Sequence, residues 1–279
     1  MKAPAFDYVA VRTLDDAFHQ LGDAQADAKP MSGSQSLGPM LNLRLTRPAR
    51  LVDVSRIDAL RSVRVEGDTI RIGAAVTHAQ IEDGVHAPIR GGFLQHVASG
   101  IAYRAVRNRG TIGGSLAHAD PAADWPLALT ALDASIELAS ARGTRRVRME
   151  EFMAGAFTTL LAADEIIAAV LVPKAGAALR WGYYKLCRKT GEFAHASAAA
   201  VFDRDRRIAR IAVGALDGAP RCLHALSKQI AQHGPTASSS TAIAQAVAAV
   251  TPNADPIDRS LHEVAVARCL AQIFGTAAQ

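Results

Sequence analysis

Two stretches of this chain combine glycine with hydroxyl side chains in a way that can do chemistry. One is "SGSQSLGPMLNLRL", residues 32–45; the other is "TIGGSLAHADPAADWP", residues 111–126. Glycine lets backbone N–H groups converge on one point, because no Cβ blocks close approach or positive φ. Serine and threonine hydroxyls add donors. The combination makes an anion cradle without net charge, which suits a pyrophosphate. Either stretch alone also fits an ordinary turn. Each, however, follows a strand-like or helical run and leads back into apolar sequence, so neither is a floppy linker.

The known phosphate schemes narrow the choice. Gly33 and Gly38 stand at P-loop spacing, but Pro39 and Met40 follow where that motif needs Lys and Ser/Thr. Without the lysine for phosphate and the hydroxyl for magnesium, a Walker A site is ruled out. No G-x-G-x-x-G follows a first strand, which disfavours a Rossmann dinucleotide site. A diphosphate held between two separate loops remains.

Such loops need rigid elements behind them, and the chain alternates short strands and helices. "FDYVAV" is a strand. "TLDDAFHQLG" is a helix, with Thr13 as cap, Leu14, Ala17, Phe18 and Leu21 on one face and Gly22 as stop. "LVDVSRI" and "DTIRIGAAV" are strands, and "THAQIED" opens a short helix. Residues 91–105 and 124–132 are predicted helical. "ASIELAS", "RRVRM" and "EIIAAVLVP" are predicted strands. "PKAGAA", 173–178, is the best linker candidate. Beyond it come three strand-like runs, "RWGYYKLC", "FAHASAAAVFD" and "RIARIAVGAL". Then come three helical runs, "CLHALSKQIAQHG", "TAIAQAVAAV" and "LHEVAVARCLAQIFG". Strands followed by helices indicate a separate small α+β domain.

The composition of 279 residues, 49% hydrophobic and 20% charged, is that of a globular protein with a proper core. No apolar run reaches the ~20 residues that span a bilayer, and no apolar signal core opens the chain, so a cytoplasmic protein is expected. Net charge is +5, with 25 arginines against 6 lysines. The densest basic groups, Arg142, Arg145, Arg146, Arg148 and Arg204, Arg206, Arg207, Arg210, lack interleaved aromatics. Nucleic acid is therefore not the expected partner. Cys187, Cys222 and Cys269 are far apart, with no CxxC. Neither zinc nor an iron–sulfur cluster has its usual local ligand set, and no metal is expected on this chain.

The two loops resemble the paired FAD-binding motifs of the medium, flavoprotein subunits of molybdenum hydroxylases, the carbon monoxide dehydrogenase and xanthine dehydrogenase family. That family's first motif usually reads A-G-G-Q/H-S and its second T-I-G-G-N/S. "GYYKLCRKTGEFAHASAAA", 182–200, resembles the segment that opens the family's C-terminal domain. The resemblance spans essentially the whole chain. It implies an α+β protein with a vanillyl-alcohol-oxidase-type (PCMH-like) FAD-binding fold of two α/β subdomains, followed by a small α+β C-terminal domain. The implied boundaries are 1–175 for the FAD domain, subdivided at approximately 1–55 and 56–175, and 176–279 for the second.

The resemblance also assigns residues. Ser32, Gly33, Ser34, Gln35, Ser36 and Leu37 would form one side of a diphosphate cradle; Thr111, Ile112, Gly113, Gly114 and Ser115 would form the other. Asp124 matches an acid near the ribityl chain. His118 and Asp120 would contact the cofactor or brace the loop. As a metal pair they would offer only two ligands, a poor site. Lys185, Glu192 and Phe193 match positions near the isoalloxazine ring, and Leu43 and Arg44 would line the adenine side. Taken as residues alone, Phe193 fits simple core as well as ring stacking, and Lys185 fits a solvent-facing strand position. His195, on an alternating strand, is expected in the core. Arg104, Arg107 and Arg109 fit a solvated helix end or a phosphate-steering or partner-facing patch. Two positions depart from the family: Ser34, where glycine is usual, and Glu192, where Asp is frequent.

The implied function is electron transfer. FAD on this chain would collect electrons from [2Fe–2S] clusters on a small subunit, fed by a large molybdenum-cofactor subunit, in a dimer of heterotrimers with no membrane span. No catalytic acid, base or nucleophile is then required of this chain. The alternatives are a stand-alone FAD-dependent oxidoreductase of the same fold and a nucleotide-binding module that has lost its flavin.

Overall fold

The computed structural model describes residues 2–23 and 26–275; the outermost ends of the expected domains, residue 1 and residues 276–279, lie outside them. The alternation in the sequence becomes three main sheets, with a two-stranded ribbon of Met153–Gly155 and Thr158–Thr159 beside them. Strands Asp7–Ala10, Ala28–Met31 and Arg50–Asp53 form a parallel sheet with Arg50–Asp53 in the middle. Helix Leu14–Leu21 connects the first two, and the Thr13 hydroxyl caps it by accepting from the Asp16 N–H at 3.1 Å. Ala28–Met31 escapes a sequence reading because Pro30 sits in it. At the sheet edge the missing N–H costs no ladder bond.

The second sheet is antiparallel, in the spatial order Val63–Glu66, Thr69–Gly73, Ile166–Pro173, Ser135–Ser140, Gly143–Arg148. Its central strand, "IIAAVLVP", is buried up to its last residue. Cover on both faces explains why it is continuously apolar rather than alternating. On the edge strand the arginines are paired: Arg145 with Glu165, Arg146 with Glu137, Arg148 with Asp133.

The third sheet is antiparallel too: Arg180–Leu186, Ala196–Asp203, Ile208–Gly214, Arg221–Cys222. Its alanines divide by face, as the two-residue period requires. Ala199 and Ala212 join the core that contains Trp125, Leu127 and Ile136, whereas Ala196, Ala198 and Ala200 join Val266, Cys269 and Leu270 of helix Pro256–Phe274. Small side chains let both helices approach closely. Gly182 is the extreme case, since a Cβ there would lie 2.2 Å from the Cys269 carbonyl oxygen. The helix on the first face, Asp124–Ala131, is buried at every residue. It is apolar all round because the second sheet's core and the third sheet enclose it together. Its first residue, the acid Asp124, is thereby fixed deep inside.

Three elements differ from expectation. The predicted 91–105 helix is broken: Phe93–Ser99 ends at Gly100, and Arg104–Arg107 is a separate short turn of helix. Both Gly-Ser segments contain helices, Leu37–Asn42 and Ile112–His118. Six or seven residues are too few for an apolar period to show.

Candidate functional site

The first loop follows directly from the strand Ala28–Met31. Ser34 has φ +59, left-handed backbone that favours glycine, and this is the position where the family usually has glycine. The Gln35 amide folds back onto the Gly33 carbonyl at 3.0 Å. Gly38 N–H closes a turn onto Ser34 O at 2.9 Å. Among the described residues the N–H groups of Gly33, Ser34, Gln35 and Ser36 meet no protein acceptor, and the buried Ser32 Oγ has no partner. Unmet backbone donors in a tight loop suit an anion.

The second loop is built differently. Ile112 N–H donates to Val76 O at 3.1 Å and Gly113 N–H to Ala74 O at 2.9 Å, and His78 N–H donates to Gly110 O at 2.9 Å. Gly114 N–H caps onto Thr111 Oγ1 at 3.1 Å. The donors expected to face a diphosphate are therefore used inside the protein. These glycines serve close packing instead: a Cβ on Gly113 would lie 2.4 Å from Ala74 Cβ, and one on Gly110 would lie 2.9 Å from the His78 ring. Ser115 keeps its side-chain oxygen for a ligand, while Thr111 Oγ1 is engaged in the cap. The two loops meet at Gly33, where a Cβ would come within 2.1 Å of the Arg109 carbonyl oxygen.

His78 anchors the second loop from below. It is buried and accepts from Trp125 Nε1 at 3.0 Å through Nδ1. Burial, aided by Arg107, lowers its pKa from 6.5 to about 4. Arg107 also grips Glu82 and the carbonyls of Ile101 and Ala102, and Arg104 grips Glu82 and Asp83. These two arginines therefore brace the 101–107 segment.

Beyond the loops, Lys185 Nζ reaches both Asp124 oxygens at 3.0 Å, and Tyr183 O–H donates to Asp124 Oδ1 at 2.6 Å. The ion pair is buried, with the side chains 10% and 5% exposed, so Lys185 is not the solvent-facing lysine its strand position allowed. Burial pushes the Asp124 carboxyl above its usual range, against the pull of Lys185 and Tyr183. The turn 189–193 docks beside this pair: Gly191, φ +92, bridges to Ile101 and sits where a Cβ would be 2.4 Å from Ala102 O. Phe193 and Tyr103 rise from either side of that contact, 62% and 61% exposed.

The remaining candidates fall into place around these anchors. Asp120 braces its loop by accepting from Ala122 N–H at 2.9 Å, and the His118 ring packs 5.2 Å from Phe157. Glu192 is 3.7 Å from Arg188 on the turn. His195 corrects the expectation of a core histidine: the buried strand starts one residue later, at Ala196, and His195 is exposed. Leu43 is half exposed, and Arg44 Nε reaches the Lys2 carbonyl. One Glu-Cys-His group, Glu150, Cys222 and His224, is clustered closely enough for a metal among the described residues. Arg210 and His224 already occupy Glu150, so a cation would have to displace a guanidinium.

A cleft of about 410 Å³ opens beside the loop junction. Ser32, Gly33 and Thr111 line it, with Arg12, Arg56, Arg61 and Arg109. Sequence reading missed Arg12, Arg56 and Arg61. The available signal was position, since Arg12 and Arg56 follow the first and third parallel strands, and such sheets bind ligands outside their carboxyl ends.

Residues 4–175 match the family described as the FAD binding domain in molybdopterin dehydrogenase. The chain belongs to this family. It is 39% identical over 225 residues to the nicotine 6-hydroxylase medium subunit of Paenarthrobacter nicotinovorans, covering 78% of this chain and 77% of the relative. It is 36% identical over 224 residues to the carbon monoxide dehydrogenase medium chain of Hydrogenophaga pseudoflava, covering 80% and 78%. A solved carbon monoxide dehydrogenase from Hydrogenophaga pseudoflava superposes with a TM-score of 0.87 at 31% identity, covering 100% of both chains. The fold is thus the PCMH-type FAD-binding fold with its C-terminal extension. No helix among the described residues is long and apolar enough to cross a membrane.

Proposed function

We propose that this chain is the FAD-carrying electron-transfer subunit of a molybdenum hydroxylase, and that its first loop holds the FAD diphosphate. The observation that carries the placement is the row of N–H groups from Gly33 to Ser36 with no protein acceptor, beside a loop pinned by Thr111 and Gly113. The residues fit the cofactor. Ser32, Gly33, Ser34, Gln35, Ser36 and Leu37 bind from one side; Thr111, Ile112, Gly113, Gly114 and Ser115 shape the other, with His118 and Asp120 flanking. Bound FAD supplies the step between one-electron carriers and a two-electron acceptor.

The chain's own residues orient and tune. Asp124 fixes Lys185 Nζ, and the fixed ammonium would lie beside a bound flavin ring and favour its reduced form. Phe193 and Tyr103 offer apolar cover at the edge of that place, and Glu192 stands on the same turn. No proton need be taken from a substrate here. Electrons enter from [2Fe–2S] clusters on a small partner subunit, fed by the large molybdenum-cofactor subunit, in a dimer of heterotrimers. A stand-alone oxidase would need a cap over the ring, whereas the residues of this chain superpose throughout on the carbon monoxide dehydrogenase chain. We also propose a division near residues 173–180, between the second and third sheets, and a cytoplasmic location, which suits three free thiols.

The test is the visible spectrum of the full chain after incubation with FAD and desalting, alone and with its partner subunits. Flavin bands that survive desalting are expected. A colourless protein in both states refutes the proposal.

A further inference from the structure

We infer that the arginine-lined cleft behind the loop junction is a second anion site, built for a small phosphate-bearing ligand other than the flavin. The inference rests on the flavin being held by the 34–37 face of the first loop. The cleft touches that loop only at Ser32 and Gly33, and the second loop only at Thr111. The backbone contact of Gly33 with Arg109 and Gly110 closes the loops together between the two faces.

Charge argues first. Arg12, Arg56, Arg61 and Arg109 converge on the cleft, and Asp58 is the one carboxylate lining it. Most arginines elsewhere in the chain are tied to a carboxylate or a carbonyl. These four make no side-chain hydrogen bond or ion pair among the described residues. Converging planar guanidinia match phosphate oxygens two donors at a time.

The neutral side chains point the same way. Gln80 Oε1 is consumed by the Thr77 cap, which leaves its amide N–H groups. Asn108 Oδ1 is consumed by Arg104 Nε, which leaves its amide N–H groups as well. The amide oxygens of Gln80 and Asn108 are used within the protein while their N–H groups remain, so, Asp58 apart, the wall is matched to a ligand rich in acceptors. A volume of about 410 Å³ admits a phosphorylated small molecule. The wall also combines the carboxyl ends of the parallel strands with the 75–80 and 108–111 segments, so a bound anion would clamp the two halves of the FAD domain.

The probe is inorganic pyrophosphate, titrated calorimetrically into the full chain loaded with FAD, alone and in complex with its partner subunits. One saturable site is expected, with the flavin absorbance retained throughout. Arg56→Ala/Arg61→Ala should weaken pyrophosphate binding at least about tenfold while retaining FAD. Should that variant fold poorly, Arg61→Gln and Arg61→Lys replace it, with the lysine variant expected to bind more tightly than the glutamine. Absence of saturable binding overturns the inference. So does release of FAD by pyrophosphate or by the arginine substitutions, which would hand the cleft to the flavin. Binding by the isolated chain that vanishes in the complex also overturns it, in favour of an acidic partner segment. A chain that takes up no FAD but still binds pyrophosphate would instead count against the flavin reading alone.

Discussion

The Gly33→Ala substitution tests the loop junction most directly. Gly33 has ordinary backbone torsions, so alanine brings no torsional strain and the effect is purely one of space. The new methyl would start 2.1 Å from Arg109 O, 2.7 Å from its carbonyl carbon and 2.8 Å from Gly110 Cα. All three are backbone atoms, and the hydrogen bond from His78 to Gly110 holds them. Reaching van der Waals distance requires the loops to part by roughly 1 Å. Overpacking of this kind costs about 1–3 kcal/mol, and the immobile partners put it at the upper end. For a chain of this size that is a fall in melting temperature of roughly 5–10 °C. A diphosphate cradle opened by that distance should lose FAD affinity by at least about tenfold. Gly38→Ala is the matched control. Its Cβ would meet only the end of the Ser34 side chain, at 3.3 Å, inside a helix where alanine is favoured. The two proteins are compared by thermal melting and by flavin retained after gel filtration. A Gly33→Ala protein that melts and holds FAD like the parent would refute the close junction.

Three further substitutions or conditions probe other joints. Ser34→Gly removes the cost of a side chain at φ +59 and should stabilise the protein by about 1 kcal/mol, read as a higher urea midpoint. Lys185→Met strands the buried Asp124 charge and should cost ~3–5 kcal/mol at neutral pH. Adding Asp124→Asn to it should recover part of that, and a double variant no better than the single would count against the pair. His78 should make stability pH-dependent. Its contribution is whole above pH 6.5 and is lost as pH falls towards about 4, by about 3 kcal/mol in all, because the unfolded chain takes up the proton first. Denaturation midpoints in parent and His78→Gln across that window check this, and parallel curves would show that another group carries the titration.

Local pattern made part of this legible in the sequence. Alternation placed Thr69–Gly73, a Thr13 cap placed the first helix, and glycine beside hydroxyl marked both loops. What each glycine does was not legible. Gly113 is there for Ala74, 39 positions earlier in the sequence, and no local rule connects them. The Asp124–Lys185 pair joins residues 61 apart, and the cleft arginines arrive from three separate segments. Such groupings depend on which strands pair, and the Ile70–Val172 register follows from the packed core and not from either strand's own sequence. His195 was misplaced by a single residue: the strand is buried on both faces from Ala196 onward, and the position before it lies outside that cover.

The buried helix Asp124–Ala131 and the central strand Ile166–Pro173 also govern the order of events at the ribosome. The parallel sheet needs only the first 53 residues, but the second sheet cannot close until Pro173 has emerged to pair with Thr69. Until strands Ala196–Asp203 and Ile208–Gly214 follow, the apolar helix lacks half its cover. For that interval the nascent chain displays an apolar helix without its full cover. The topology therefore predicts help from chaperones during synthesis and flavin capture only after most of the chain is made.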